Sequence, residues 1–419
     1  MTVDLTIDHI GASGDGVAVQ GGETWYVPFT APGDRVTATA VEARGNGTLG
    51  ELGDLLEAGA DRTAPLCRHF GTCGGCALQH LTPAFTAEWK RRRIIDCLAR
   101  AGIEDADVRP TMTSPLASRR RVEFIAAKRK KGVMIGYHLR KSHQIFDVGD
   151  CPLIAPELLA LVKPLRAALP ALLPRNSEAK ITATATETGI DLMITAKIDL
   201  GLEMREALAG FAGTHNLARL AWRQTDRSLP EVIATIRSPD IHLGDITVAL
   251  SPGGFLQATE AGEQVLIAAA MAGLDGARQI ADLFAGAGTF SLPLAGAARV
   301  HAVEGDAELT ASLQAAANRA ILPVTSETRD LFQRPLIADE LNAYDGLLFD
   351  PPRAGAKVQA EEIAKSDIPK VMAISCNPIT FARDVKTLID GGYSLGPVQP
   401  VDQFLFSPHV EMAALLTRT

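Results

Sequence analysis

No stretch of this 419-residue chain stays apolar for the length that a membrane span needs, and no basic-then-apolar secretory segment opens it. Those absences set aside the membrane-embedded and exported classes, and the expectation is a cytoplasmic protein with no membrane partner. Cysteine is scarce, at six residues, and in a reducing compartment these are not expected to form structural disulfides. Positive charge is in deficit: 41 Lys and Arg stand against 49 Asp and Glu, a net charge of −8. In bulk that balance speaks against a nucleic-acid partner. What remains, 47% hydrophobic and 21% charged, describes a soluble globular chain too long for one core, hence two or three domains.

The positive charge that is present is not spread evenly. From Lys90 to Lys141 run "WKRRR", "SRRRVEF", "AKRKKG" and "HLRK", with 15 Lys and Arg against five acids. A basic surface on an acidic protein is the footprint of a phosphate backbone; the competing reading is an ordinary solvated face.

Residues 1–58 are Gly-rich, with short alternating segments ("DLTIDHI", "GVAVQ", "ETWYVPF", "RVTATAVEA") that predict a small OB-like β-barrel. Residues 59–250 read as a central α+β domain. It opens on a Cys- and Gly-rich loop, "DRTAPLCRHFGTCGGCALQH", and a basic helix over 84–101 comes next. The surrounding segment 81–111 is a candidate to pack on the next domain. From 251 to 419, strands and helices alternate regularly, which predicts a doubly wound, mostly parallel, Rossmann-like sheet.

Four patterns carry chemistry. In "DLFAGAGTF" a strand runs into Gly286 and Gly288, where a ligand can approach the backbone and a helix N-terminus is expected to face it. Ser291 stands where a pyrophosphate-binding loop usually has a third glycine, and S-adenosylmethionine, which has no pyrophosphate, tolerates that absence. Glu304 ends the next strand, where an acid can accept both ribose hydroxyls, and Asp330 after the third is placed to meet an adenine. In "LLFDPPRAG", Asp350 and two prolines make a rigid loop. Amino-group methyltransferases place an aromatic residue after such a loop; here Arg353 takes that position. In "AISCNP", Cys376 ends an apolar strand that Pro378 cannot continue. On the strand alone, Cys376 is as readable as a small buried residue. Glu411 in "SPHVEM" lies on the last predicted strand among apolar neighbours, a costly place for an acid without a partner or a role. His409 reads as a ligand contact or a structural His. Cys67, Cys73 and Cys76, with Cys151 after a long gap, could supply four thiolates to zinc or to an iron–sulfur cluster, and spacing does not choose between them.

Taken in order, "GGFLQAT", "DLFAGAGTFSLPLA", "VEGD", "DPPRAG", "SCNPITFARD" and "HVE" resemble the class I S-adenosylmethionine-dependent uracil-5 RNA methyltransferases. "CRHFGTCGGC" with Cys151 resembles the iron–sulfur motif of their ribosomal RNA branch, and residues 1–58 its TRAM barrel. The resemblance implies a nucleophile at Cys376 and a general base at Glu411. It implies cofactor contacts at Gln257, Phe284, Glu304 and Asp350, with Gly286, Thr289 and Asp330 beside them, and a [4Fe–4S] cluster on Cys67, Cys73, Cys76 and Cys151. The tRNA branch typically lacks barrel and cluster, so 23S rRNA is the implied substrate, tRNA the alternative, and a monomer is expected. The chain departs from the family in "DQFLFS", 402–407, where Asp-Met-Phe-Pro-His-Thr is usual, and in Ala285, where Cys is frequent. An RNA cytosine-5 methyltransferase usually carries a second cysteine in the Asp-Pro loop, which Pro351, Pro352 and Arg353 occupy here. A non-catalytic RNA-binding iron–sulfur module would leave Cys376, Glu411 and the glycine loop without a purpose.

Overall fold

The computed structural model describes residues 2–140, 142 and 144–419; Lys141 of the basic window lies outside them. Three sheets of six strands or more organise the chain. In the first, Thr2–Thr6 and His9–Ile10 occupy opposite edges and are joined by Ile7 and Asp8 alone. Ile7 N–H donates to Asp34 O and Asp8 N–H to Val17 O, so one bent segment serves both edges. The sheet therefore curls on itself around Leu5, Ile7, Trp25, Val27, Val36 and Ala38. Such closure removes exposed strand edges.

The second sheet has seven strands, centred on Arg121–Arg129 and Glu178–Thr186. The helices Val162–Leu172 and Leu202–Thr214 share its core, bringing Leu165, Leu169 and Leu208 against Phe124, Ile181 and Leu192. This is the α+β arrangement expected from its mixed pattern.

The third sheet has eight strands. In spatial order these are Val324–Thr328, Arg299–Glu304, Gln279–Leu283, Gly346–Phe349, Lys370–Ser375, Glu411–Arg418, Tyr393–Asp402 and Met112–Thr113. The first five are parallel. Alternate residues of one strand feed two separate cores: Met372 and Ile374 join Leu266 and Leu348, while Val371 and Ala373 join Phe349 and Phe381. A parallel sheet covered on both faces needs such uninterrupted apolar strands. The order reverses at Gln279–Leu283, which has Arg299–Glu304 on one side and Gly346–Phe349 on the other. A crevice opens beyond the carboxyl ends of the strands at such a point.

The basic helix, Pro83–Arg100, starts with Thr82 accepting from Phe85 N–H and with Pro83 at its first position. Its Ile94 and Leu98 are buried in the same core as Phe381, Val385 and Leu388 of the helix Pro378–Asp390, which packs on the third sheet. The helix and the edge strand Met112–Thr113 thus pack with residues 251–419. Among the described residues, no helix is long and apolar enough to cross a membrane.

Candidate active site

The glycine loop begins as soon as Leu283 leaves its strand. Phe284 has φ +62°, a left-handed conformation costly for a bulky residue and tolerated where function requires it. Gly286 has φ +57° and open space where a Cβ would stand, so a ligand can reach the backbone there. Glu304 braces the loop: its Oε2 accepts from Gly286 N–H at 2.9 Å and its Oε1 from Asp306 N–H at 2.9 Å. Ser291, in place of a third glycine, donates to Asp282 at 2.5 Å. Burial pushes the Asp282 carboxyl up to about 7, against the pull of that hydroxyl. The sequence predicts a helix N-terminus facing the ligand. The chain instead makes a single helical turn, Ser291–Leu294, and the Gly286 amide of the loop is taken by Glu304. Asp330 Oδ1 accepts from Phe332 N–H, and the Phe332 ring lies 5.5 Å from that of Phe284, forming an aromatic wall.

The register of the last strand explains the other half of the site. Glu411–Arg418 runs antiparallel to Lys370–Ser375, with Met412 opposite Ser375. At the next position Glu411 therefore meets Cys376. An antiparallel final strand is what returns a C-terminal acid to the edge where parallel strands end. Asn377 caps the helix Pro378–Asp390 by accepting from Ile379 N–H, and its Nδ2 donates to Arg353 O at 3.0 Å. The Cys376 turn is thereby tied to the Asp350-Pro-Pro loop.

All nine catalytic and cofactor-contact candidates line one cleft of about 1540 Å³: Gln257, Phe284, Gly286, Thr289, Glu304, Asp330, Asp350, Cys376 and Glu411. Burial, then the charges of Glu411 and Asp350, push the Cys376 thiol up to about 11, while Arg353 opposes them. Glu411, 5% exposed, is pushed up to about 8 by burial and then Asp350, again against Arg353. Burial raises Asp350 to about 7. These carboxyls have the proton affinity that general acid–base work near neutral pH requires. His409 also lines the cleft, and burial followed by the cations around it lowers it to about 4, leaving a neutral ring edge-on to Phe404. Phe255, Arg353 and Phe404 also line the cleft and were not among the candidates. For Phe255 a signal existed: it is a large aromatic directly after two glycines.

The four cysteines meet elsewhere. Cys67, Cys73, Cys76 and Cys151 line a cavity of about 570 Å³ and are free of disulfides. Burial raises Cys73 and Cys76, the latter to about 11, and the other thiols of the set raise them further. Among the described residues, no group of three or more His, Cys, Asp and Glu is arranged to hold a metal ion. Ala77 and Leu78 N–H both donate to Phe406 O, which joins this loop to the "DQFLFS" segment.

Part of the basic window turns inward or is paired within the fold. Lys90 is fully buried against Asp402, Arg120 pairs with the buried Glu263, Arg140 with Asp15, Arg129 with Glu178, and Arg91 and Arg92 with Glu88. Arg93 donates to Pro408 O. Charge counted along a sequence does not see the partners that folding brings. Arg119 has no ion pair among the described residues and lays its guanidinium 5.7 Å from the centroid of Phe404.

Comparison with known proteins gives the site its context. Residues 251–419 match the tRNA (uracil-5-)-methyltransferase family. An uncharacterised RNA methyltransferase of Brucella suis is 43% identical over 419 residues, spanning 100% of this chain and 98% of that protein. A 23S rRNA (uracil(1939)-C(5))-methyltransferase of Halomonas elongata is 33% identical over 99% of this chain and 89% of its own. In fold, the chain is similar to the Pyrococcus abyssi tRNA (uracil-54, C5)-methyltransferase solved with S-adenosyl-L-homocysteine, with a TM-score of 0.78 and 21% identity over 99% of this chain and 100% of that one. The chain thus belongs to the RNA (uracil-5-)-methyltransferase family.

Proposed function

We propose that this enzyme methylates carbon 5 of a uridine in 23S rRNA through a covalent adduct between Cys376 and carbon 6. The observation that carries the proposal is the convergence of Cys376 and Glu411 at one sheet edge beside the glycine loop. Carbon 5 of uracil is a poor nucleophile. The Cys376 thiolate adds to carbon 6 and drives the ring electrons onto carbon 5 as an enolate. Bound S-adenosylmethionine supplies an electrophilic methyl group on its sulfonium sulfur. Carbon 5 attacks that methyl, and S-adenosylhomocysteine leaves. Glu411 then takes the proton from carbon 5; its electron pair restores the double bond and expels the thiolate. A paired uridine must first be flipped out of its stack, which single-stranded or loop RNA makes cheaper. Phe255, Phe404 and neutral His409 offer apolar and aromatic surface to the flipped base, and Arg119 beside Phe404 suits a backbone phosphate.

The resting charges set the pH dependence. Cys376 must lose a proton to add and Glu411 must have lost its own to accept one. With these groups pushed up to about 11 and about 8, turnover is expected to climb from pH 7 to pH 9. Arg353 is the cation that opposes both shifts, so Arg353→Ala should carry the profile to higher pH, at about a tenfold loss at fixed pH for each unit moved. Single-turnover rates across that range check this, and a flat profile would contradict it.

The assignment to 23S rRNA draws on the relative that spans most of both chains and on the four-cysteine pocket. The donor set is all cysteine, as [4Fe–4S] clusters require. Cys67, Cys73, Cys76 and Cys151 would hold the cluster, and the loop 76–78 would brace the segment that carries Phe404. Cys73→Ser is expected to remove the brown colour and most of the bound iron; a colourless wild type with stoichiometric zinc would refute the cluster. The curled N-terminal sheet is assigned as a TRAM module that helps hold RNA, and the cytoplasm as the compartment. Transcripts of 23S rRNA and tRNA, each incubated with methyl-labelled S-adenosylmethionine, decide the substrate. Label in tRNA alone would shift the assignment to tRNA.

A further inference from the structure

We propose that Gln403 is a positioning residue: it turns the side-chain amide of Gln257 so that its NH2 faces the cleft and donates to the carboxylate of bound S-adenosylmethionine. The inference rests on the reading of Gln257 as a cofactor contact.

Gln257 and Gln403 are 5% and 3% exposed. The orientation of a buried amide is normally ambiguous between its oxygen and nitrogen and has to be argued from its partners. Here one partner can only donate. Thr259 N–H donates to Gln403 Oε1 at 3.2 Å. Gln403 must therefore offer its nitrogen at the other end, where Nε2 donates to Gln257 Oε1 at 2.8 Å. That occupies the Gln257 oxygen and leaves its NH2 for the cleft that Gln257 lines.

The start of this relay is fixed. Thr259 caps the helix Glu260–Gly273, its Oγ1 accepting from Gly262 N–H and bonded to Ser114 Oγ at 2.7 Å. The Gln257 carbonyl accepts from Arg120 Nε, and Arg120 is held by Glu263 on the same helix. Gly262 also makes room: a Cβ there would stand 2.3 Å from Gln403 Cγ. In the family pattern "Asp-Met-Phe", Gln403 takes the place of a Met that could not pass on a hydrogen-bond direction.

The ligand follows from the charges around it. Glu304 and Asp330 line the same cleft, and these acids repel the one carboxylate that the cofactor carries. A neutral amide NH2 supplies a donor there without neutralising Asp350 or Glu411.

The test is calorimetric binding of S-adenosylmethionine and of its decarboxylated analogue to the full chain and its variants. In Gln403→Glu the introduced carboxylate can only accept, so the Gln257 amide turns over and shows its oxygen to the cleft. S-adenosylmethionine affinity should fall about tenfold or more, while the decarboxylated analogue should change less than about twofold. Lowering the pH protonates the introduced carboxyl, restores a donor and should recover the affinity; a merely structural defect would weaken both ligands at every pH. Gly262→Ala, which displaces Gln403 without a new charge, should show the same ligand selectivity and carries the test if Gln403→Glu fails to fold. Gln257→Ala should weaken S-adenosylmethionine and make Gln403→Glu silent in its background. If Gln257→Ala weakens binding but Gln403→Glu does not, the relay is wrong. If Gln257→Ala has no effect, the cofactor reading of Gln257 fails and the proposal with it.

Discussion

Cys376→Ala is expected to lower methyl transfer by a factor on the order of 10⁴ or more, the scale seen when a covalent nucleophile is removed. S-adenosylmethionine affinity should stay within about twofold, because no charge or backbone bond is lost from the cofactor wall. The expectation rests on where the sulfur sits. Cys376 ends its strand between the Asp350 loop and Glu411, while the bonds that shape the glycine loop run through Glu304. Losing one partly buried sulfur costs on the order of 1 kcal/mol, so the fold should survive. Single-turnover kinetics together with calorimetry separate the two quantities. Residual turnover within about a hundredfold of wild type would remove Cys376 from the role of nucleophile.

Lys90→Met should destabilise the protein by about 3–5 kcal/mol, because it strands a buried carboxylate. Lys90 and Asp402 have side chains 0% and 1% exposed, with Nζ 2.6 Å from Oδ2. Burial pulls the Lys90 ammonium below its ordinary value and Asp402 pulls it back. The pair also grips Phe404 from both sides: Lys90 Nζ donates to its carbonyl at 3.1 Å, and Asp402 Oδ1 accepts from its N–H at 2.9 Å. Thermal and urea unfolding followed through the methyltransferase core measure the loss. Lys90→Met with Asp402→Leu should recover part of it, since no lone charge then remains. Unchanged stability of Lys90→Met would mean that the pair contributes nothing net.

The same lysine marks where sequence reading reaches its limit. "WKRRR" reads as a basic surface because composition counts charges without their directions. Helical spacing tells more: Lys90, Ile94 and Leu98 succeed one another at four-residue steps, all buried, which puts Lys90 on the inward stripe. Its partner lies 312 residues further along, and no local pattern announces it. The alternation from Gln279 onwards is different in kind. Buried parallel strands must be apolar throughout and their ends must break, so the third sheet and its glycine loop were legible. Glu411 was legible because an acid among apolar neighbours needs an explanation. Gln403 was not, since its meaning lies in a contact with Gln257 that only the tertiary fold creates.

One measurement bears most directly on the covalent account. Glu411→Gln keeps the shape of the side chain but cannot accept the carbon-5 proton, so the adduct between Cys376 and RNA should form, take up the methyl group and then persist. After incubation with 23S rRNA transcript and S-adenosylmethionine, denaturing electrophoresis should show a protein–RNA band that Cys376→Ala in the same background abolishes. If no band survives denaturation while Glu411→Gln still binds RNA and cofactor, or if it releases methylated RNA at the wild-type rate, the assignment of Glu411 as the base is contradicted.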